Sequence, residues 1–193
     1  MTAHTSPPAV AISLAKDVAA RSPCRSKRGV VVYASEPLGP PTILGCGYNG
    51  PPAPLTCPGR ERCAGNCGQR SVHAETRALR MAQSTTLRSG RVDLDLVHVE
   101  LAADGGVVPC DGPKCWQCSR EILDVGFVAG VWLYLGLSRC LACRRFEDSS
   151  DRAEDRWRRC PECGADLTPQ GIWQRYSAEE FHHITLRNTG LEP

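Results

Sequence analysis

The chain has 193 residues and a mass of 21.0 kDa, enough for one domain or one domain with a small appendage. Hydrophobic residues make up 41% and charged residues 23%, which is compatible with a packed core and excludes wholesale disorder. The formal net charge of +2, from 23 basic and 21 acidic residues, argues against a dedicated electrostatic clamp for nucleic acid.

Residues 9–20 (AVAISLAKDVAA) read as an Ala-rich helix ended by Ser22-Pro23. Gly29 to Tyr33 (GVVVY) is β-branched and strand-like, and Ser35 to Pro41 is a Pro/Gly turn. Thr42 to Cys46 is a second strand, making a hairpin that exits through Gly47-Tyr48-Asn49-Gly50. Residues 51–70 are rich in Pro, Gly and Cys with no apolar period, so an external staple is needed to hold them. Ser71 to Arg88 reads as a helix with Ala74, Ala78, Leu79, Met81 and Ala82 on one stripe. Val92 to Leu101 contains DLDLVHVEL, whose polar/apolar alternation marks a strand. After a Gly/Pro loop at 104–113, Cys115 to Val125 reads as a helix, and Phe127 to Leu135 (FVAGVWLYL) as a buried strand.

Hairpin, helix, strand, helix, strand is an α/β layered sheet. Composition shifts at Gly136, which suggests a first domain over 1–136 and an extension over 137–193. Ser177-Ala-Glu-Glu180 reads as a capping box opening a last short helix. No apolar run reaches the roughly 18 residues that cross a bilayer. The start, Met1 to Pro8, lacks a basic segment followed by a long apolar one, so a soluble cytoplasmic protein is expected.

Twelve cysteines carry the chemistry. Without a secretory signal, metal ligation is the preferred reading over disulfides. His73-Ala74-Glu75 opens one predicted helix and Cys115-Trp116-Gln117-Cys118 opens the next. One imidazole and two thiolates make three donors for a tetrahedral zinc ion, leaving a fourth position for water. Helix N-termini favour thiolate over thiol. Glu75, two residues after His73, is placed to carry a proton rather than to bind the metal. Cys140-x-x-Cys143 and Cys160-x-x-Cys163 form a zinc-ribbon pattern, read as a structural zinc. Its Arg-rich insertion also holds five acidic residues and reads as a solvated loop. His98 lies in a strand, as polar-face filler or a spare ligand, and His182-His183 read as surface residues of the last helix.

His-x-Glu followed by Pro, Cys-x-x-Cys is the signature of zinc nucleobase deaminases. The order Ile43-Leu-Gly-Cys-Gly-Tyr-Asn-Gly-Pro-Pro52, a cysteine-bearing insertion, then Val72-His-Ala-Glu75, resembles the cytidine deaminase superfamily, and its deoxycytidylate deaminase branch most closely. Ser22 to Val32 also looks like that branch's lead-in to the first strand, and the likeness spans roughly residues 9–136. The resemblance implies a three-layer αβα fold with a mixed central sheet, to which the ribbon is added. It implies a zinc held by His73, Cys115 and Cys118, with Glu75 as proton shuttle and Asn49 as a contact to the nucleotide. The implied reaction is attack of zinc hydroxide on C4 of a cytosine nucleotide, dCMP to dUMP or similar. A second structural zinc on Cys24, Cys57, Cys63 and Cys67 is implied as well, which would staple residues 51–70. The implied partners are a small-molecule nucleotide and further copies of the chain. The alternative substrate is a base within single-stranded DNA or RNA, with the ribbon contacting nucleic acid. A scaffold that has kept the fold without activity is a third reading, against which the intact Glu75 stands.

One departure concerns the pocket. The family has Pro directly before the first cysteine, whereas Lys114 stands there, and Pro109-Cys110 competes nearby within an enlarged loop. Two-residue spacing and a helix start favour Cys115 and Cys118.

Overall fold

A computed structural model describes residues 6–36, 39–52, 55–57, 71–89, 93–110, 115–140, 146–148 and 167–191. Among them lie helices α1 (Ala9–Ala20), α2 (Ala74–Ser89), α3 (Trp116–Asp124) and α4 (Ala178–Thr189). The strands are β1 (Lys27–Ala34), β2 (Thr42–Tyr48), β3 (Leu94–Leu101), β4 (Val107–Val108), β5 (Val128–Cys140), β6 (Phe146–Asp148) and β7 (Leu167–Ser177).

All seven strands share one mixed sheet. β2, β1, β3 and β5 lie side by side; β4 pairs β3, and β6 and β7 both pair β5. β1 runs antiparallel to β2 and β3, whereas β3 and β5 are parallel. A parallel pair needs a crossover, and α3 supplies it.

Alternate residues of each strand face opposite layers. Val31, Tyr33, Val97, Val99 and Trp132 meet Ala11, Ala15 and Ala19 of α1 on one side. Val30, Val32, Leu96, Val131 and Leu133 meet Ala74, Ala78 and Leu79 of α2, Ile122 of α3 and Phe181 of α4 on the other. The result is the three-layer αβα arrangement with a mixed sheet that the sequence led us to expect.

α2 rests unusually close to β2. A Cβ built on Gly47 would stand 2.4 Å from the carbonyl oxygen of Ala74, and one on Gly45 would stand 2.2 Å from that of Ala78. Glycine on the strand and alanine every fourth residue on the helix allow backbone to approach backbone.

α2 begins at Ala74, three residues later than the Ser71 expected from sequence. Gly50 N–H donates to the carbonyl of Val72 (3.1 Å), and Val72 N–H donates back to that of Gly50 (2.8 Å). Those two bonds hold Val72 extended, so helix starts at Ala74 and His73 sits on its threshold.

The composition change at Gly136 falls inside β5, which continues to Cys140. β7, whose residues show no periodic pattern of their own, pairs with β5 from Gly130↔Ser177 to Cys140↔Leu167. Trp173 on β7 packs on Tyr134 with ring centroids 5.2 Å apart. α4 then returns to the main core through Ala178 and Phe181. Its start is the expected capping box: Glu180 N–H donates to Ser177 Oγ (3.1 Å), and Ser177 N–H donates to Glu180 Oε2 (2.8 Å). Of the ribbon cysteines, Cys143, Cys160 and Cys163 lie outside the described residues, as do Cys63 and Cys67 of the other proposed zinc. Among the described residues no helix is long and apolar enough to cross a membrane.

Candidate metal centre and its cavity

Two helix starts meet over the sheet and bring three donor atoms together. Among the described residues, His73, Cys115 and Cys118 form the group of potential metal donors whose atoms all lie within 4.8 Å of one another. His73 Nδ1 is 2.9 Å from Cys118 Sγ and 3.4 Å from Cys115 Sγ.

Each partner is fixed by its backbone. Cys115 is the N-cap of α3, and its sulfur accepts from Cys118 N–H at 3.4 Å. A sulfur there receives both a hydrogen bond and the positive end of the helix dipole. His73 is held by the Val72–Gly50 bridge on one side and by Arg77 N–H, which donates to its carbonyl at 3.3 Å, on the other. Arg77 also donates through Nη2 to the carbonyls of Gly50 and Pro51 (3.2 and 2.7 Å), anchoring the helix start to the loop after β2. Thr76 Oγ1 donates to Glu121 Oε2 at 2.5 Å, tying α2 to α3.

The three donors share protons among themselves. The Cys115 thiol is lowered to about 4, first by its hydrogen bond with Cys118 and further by His73. The same hydrogen bond, and then burial, pushes the Cys118 thiol far up. His73 is raised, first by its bond to Cys115. Protons therefore sit where a divalent ion would replace them: one imidazole and two sulfurs, soft donors suited to zinc, gathered within bonding range of a common centre.

These residues line a cavity of about 670 Å³. Glu75, in the first turn of α2, has a side chain only 14% exposed and also lines it. Its apolar lining comes from Leu96, Val131 and Leu133 of the sheet, Ile122 of α3 and Phe181 of α4. At the wall Arg28 and Glu100 pair across β1 and β3, with Arg28 Nε donating to Glu100 Oε2 at 3.0 Å. Ser26 Oγ donates to the other oxygen of Glu100. Trp116, next to Cys115, lines the cavity while remaining 46% exposed.

His98 also faces this space. Its side chain is 12% exposed, and its Nε2 lies 3.8 Å from Glu75 Oε1. Burial lowers its pKa against the pull of Glu75. It stands outside the three-donor group.

Asn49 is placed differently from the other site residues expected from sequence. Its Oδ1 accepts from Arg28 N–H and from Ser22 Oγ, both at 2.8 Å, and its Nδ2 donates to the carbonyl of Ser26 at 2.7 Å. The amide thus ties the α1–β1 connection to the end of β2, and it is not among the residues lining the cavity. Cys110 does line it, with its N–H donated to the carbonyl of Tyr134 at 2.8 Å. Cys24 is buried and Cys57 half-buried. His182, read from sequence as a surface residue, is half-buried, with Nδ1 3.0 Å from Ser119 Oγ on α3.

No protein family profile matches this sequence, and no curated protein matches it. Among solved structures the chain is similar to a dCMP deaminase from the cyanophage S-TIM5, crystallised in complex with dCMP and dUMP. The identity is 22%, over 63% of this chain and 73% of that one, with a TM-score of 0.39.

Proposed function

We propose that the protein is a zinc-dependent hydrolytic deaminase of a cytosine nucleotide, converting dCMP to dUMP or performing the same change on a close relative. The observation that carries this reading is that the His73, Cys115 and Cys118 donors and the largely buried carboxylate of Glu75 line the same cavity. Three protein donors suit a catalytic zinc, which keeps a further position open, better than a structural one, which closes it. Zinc bound by these residues would supply a Lewis acid that brings the pKa of water down to about 7.

The chain's own residues would do the rest. Glu75 takes one proton of the attacking water and delivers it to ring N3, then takes the proton of the new C4 hydroxyl and delivers it to the departing amino group. Water adds at C4, the C4–N bond breaks, ammonia leaves, and the ring becomes a uracil. The apolar lining residues and Phe181 supply the surface against which a flat ring would pack. Two structural zincs, on Cys140, Cys143, Cys160 and Cys163 and on Cys24, Cys57, Cys63 and Cys67, complete the proposal.

One feature favours the second reading, a base within single-stranded nucleic acid. Trp116 is an exposed aromatic ring at the edge of the cavity, where a neighbouring base can stack. The zinc-loaded protein is therefore offered dCMP, deoxycytidine and cytosine-containing single-stranded DNA, with uracil formation as the readout. Turnover of dCMP is expected; turnover of DNA alone selects the second reading, and no turnover at all refutes both. Glu75→Gln should abolish turnover with zinc content unchanged, and loss of zinc in that variant would contradict the role given to Glu75.

A further inference from the structure

His98 carries an unmade hydrogen bond on the lining of the cavity. On β3, Leu94 and Leu96 face α2, and so do His98 and Glu100, because every second residue shares a face. Val97, Val99 and Leu101 face α1 instead. Glu100 has Arg28 and Ser26 as partners. Among the described residues, His98 Nε2 is the one buried side-chain nitrogen or oxygen with no hydrogen-bond partner. Its neighbours in register are Val30 on β1 and Leu133 on β5, both buried and apolar. An aliphatic side chain would suit that place, and an unpaired imidazole nitrogen there is destabilising unless something in the cavity meets it.

We propose that His98 Nε2 binds the substrate ring, donating a hydrogen bond to the ring carbonyl that neighbours the nitrogen protonated by Glu75. In a cytosine ring these are the C2 oxygen and N3. Two adjacent ring heteroatoms are then met by two adjacent protein groups, whose Nε2 and Oε1 atoms are 3.8 Å apart. His98 becomes the specificity-determining contact that selects an amino-pyrimidinone from other flat amines. The inference rests on the deaminase reading above.

The test uses zinc-loaded full-length protein carrying Glu75→Gln, which holds substrate without turning it over. Affinities for dCMP and 2-thio-dCMP, whose sulfur is a poor hydrogen-bond acceptor, are measured by calorimetry. His98→Leu should weaken dCMP binding about tenfold or more while leaving 2-thio-dCMP nearly unaffected. His98→Gln, which keeps a donor, should recover part of the loss. Because leucine removes the orphaned nitrogen, His98→Leu should melt at or above the parent temperature with the same zinc content. Binding of dCMP within twofold of the parent, or equal losses for both ligands, overturns the assignment of His98. Turnover of dCMP by the protein with Glu75 and His98 intact checks the underlying reaction separately, so the two can fail independently.

Discussion

The close seating of α2 on β2 should make Gly47 intolerant of even one carbon atom. In Gly47→Ala the new Cβ would meet the Ala74 carbonyl oxygen at 2.4 Å and the Ala78 nitrogen at 2.7 Å, and both are backbone atoms that no rotamer change can move. Ordinary contact begins at 3.4 Å, so the start of α2 must retreat by about 1 Å. Overpacking of this kind costs roughly 1–3 kcal/mol. For a chain of this size that corresponds to a fall in Tm of about 2–12 °C. Ala74 lies between His73 and Glu75, so the same retreat carries a metal donor and the proposed proton carrier out of place. A displacement of about 1 Å is enough to lower kcat/KM roughly 100-fold. Thermal melts, zinc content and deamination rate would be measured on Gly47→Ala and on Gly39→Ala, whose Cβ would meet nothing within 4 Å. If the two variants melt within about 1 °C of each other and keep the same kcat/KM, glycine is not what seats the helix.

Two further variants test other parts of the fold. Ser177→Ala removes one half of the capping box of α4 and should cost about 1 kcal/mol, read as a fall in Tm of about 2–4 °C; an unchanged Tm would show that the helix start is held by packing alone. Tyr33, buried against Asp95 and Arg175, has its pKa raised well above the usual 10.0, chiefly by burial. The unfolded chain therefore loses this proton first, and the stability associated with it is present below pH 10 and declines as pH rises further, by up to about 1.4 kcal/mol per pH unit. Tyr33→Phe lacks that slope, so the stability gap between it and the parent should change between pH 10 and 11; a constant gap in urea titrations would refute the buried-phenol account.

Local patterns revealed most of this architecture. The Ala-rich run at 9–20 is α1, and the Ser177–Glu180 signature opens α4 where expected. The donor group was legible because His-x-Glu and Cys-x-x-Cys each sit at the start of an apolar helix, which fixes how both are presented. β7 was not legible, because the pairing partner that makes LTPQGIWQRYS a strand lies some forty residues earlier in β5 and leaves no mark on its own periodicity. The hydrogen bonds by which the Asn49 amide joins the α1–β1 connection to the end of β2 leave no mark on the local sequence either, where an Asn before a glycine is a common turn. For His98 a signal did exist. In LDLVHVEL the apolar residues stand at 94 and 96 and then change phase to 97, 99 and 101. The pairing of β3 with β1 runs through this point without a bulge, so the change of phase turns two polar side chains inward.

That inward turn sets durability against usefulness. A sheet bred only for endurance would carry aliphatic side chains at 98 and 100, as it does at 94 and 96, and would close the hollow beneath α2 and α3. Selection for heat resistance alone should drift toward such a protein, one that survives longer and reacts with nothing. The hollow is what the proposed reaction needs and what a sheet shaped by endurance alone would lack.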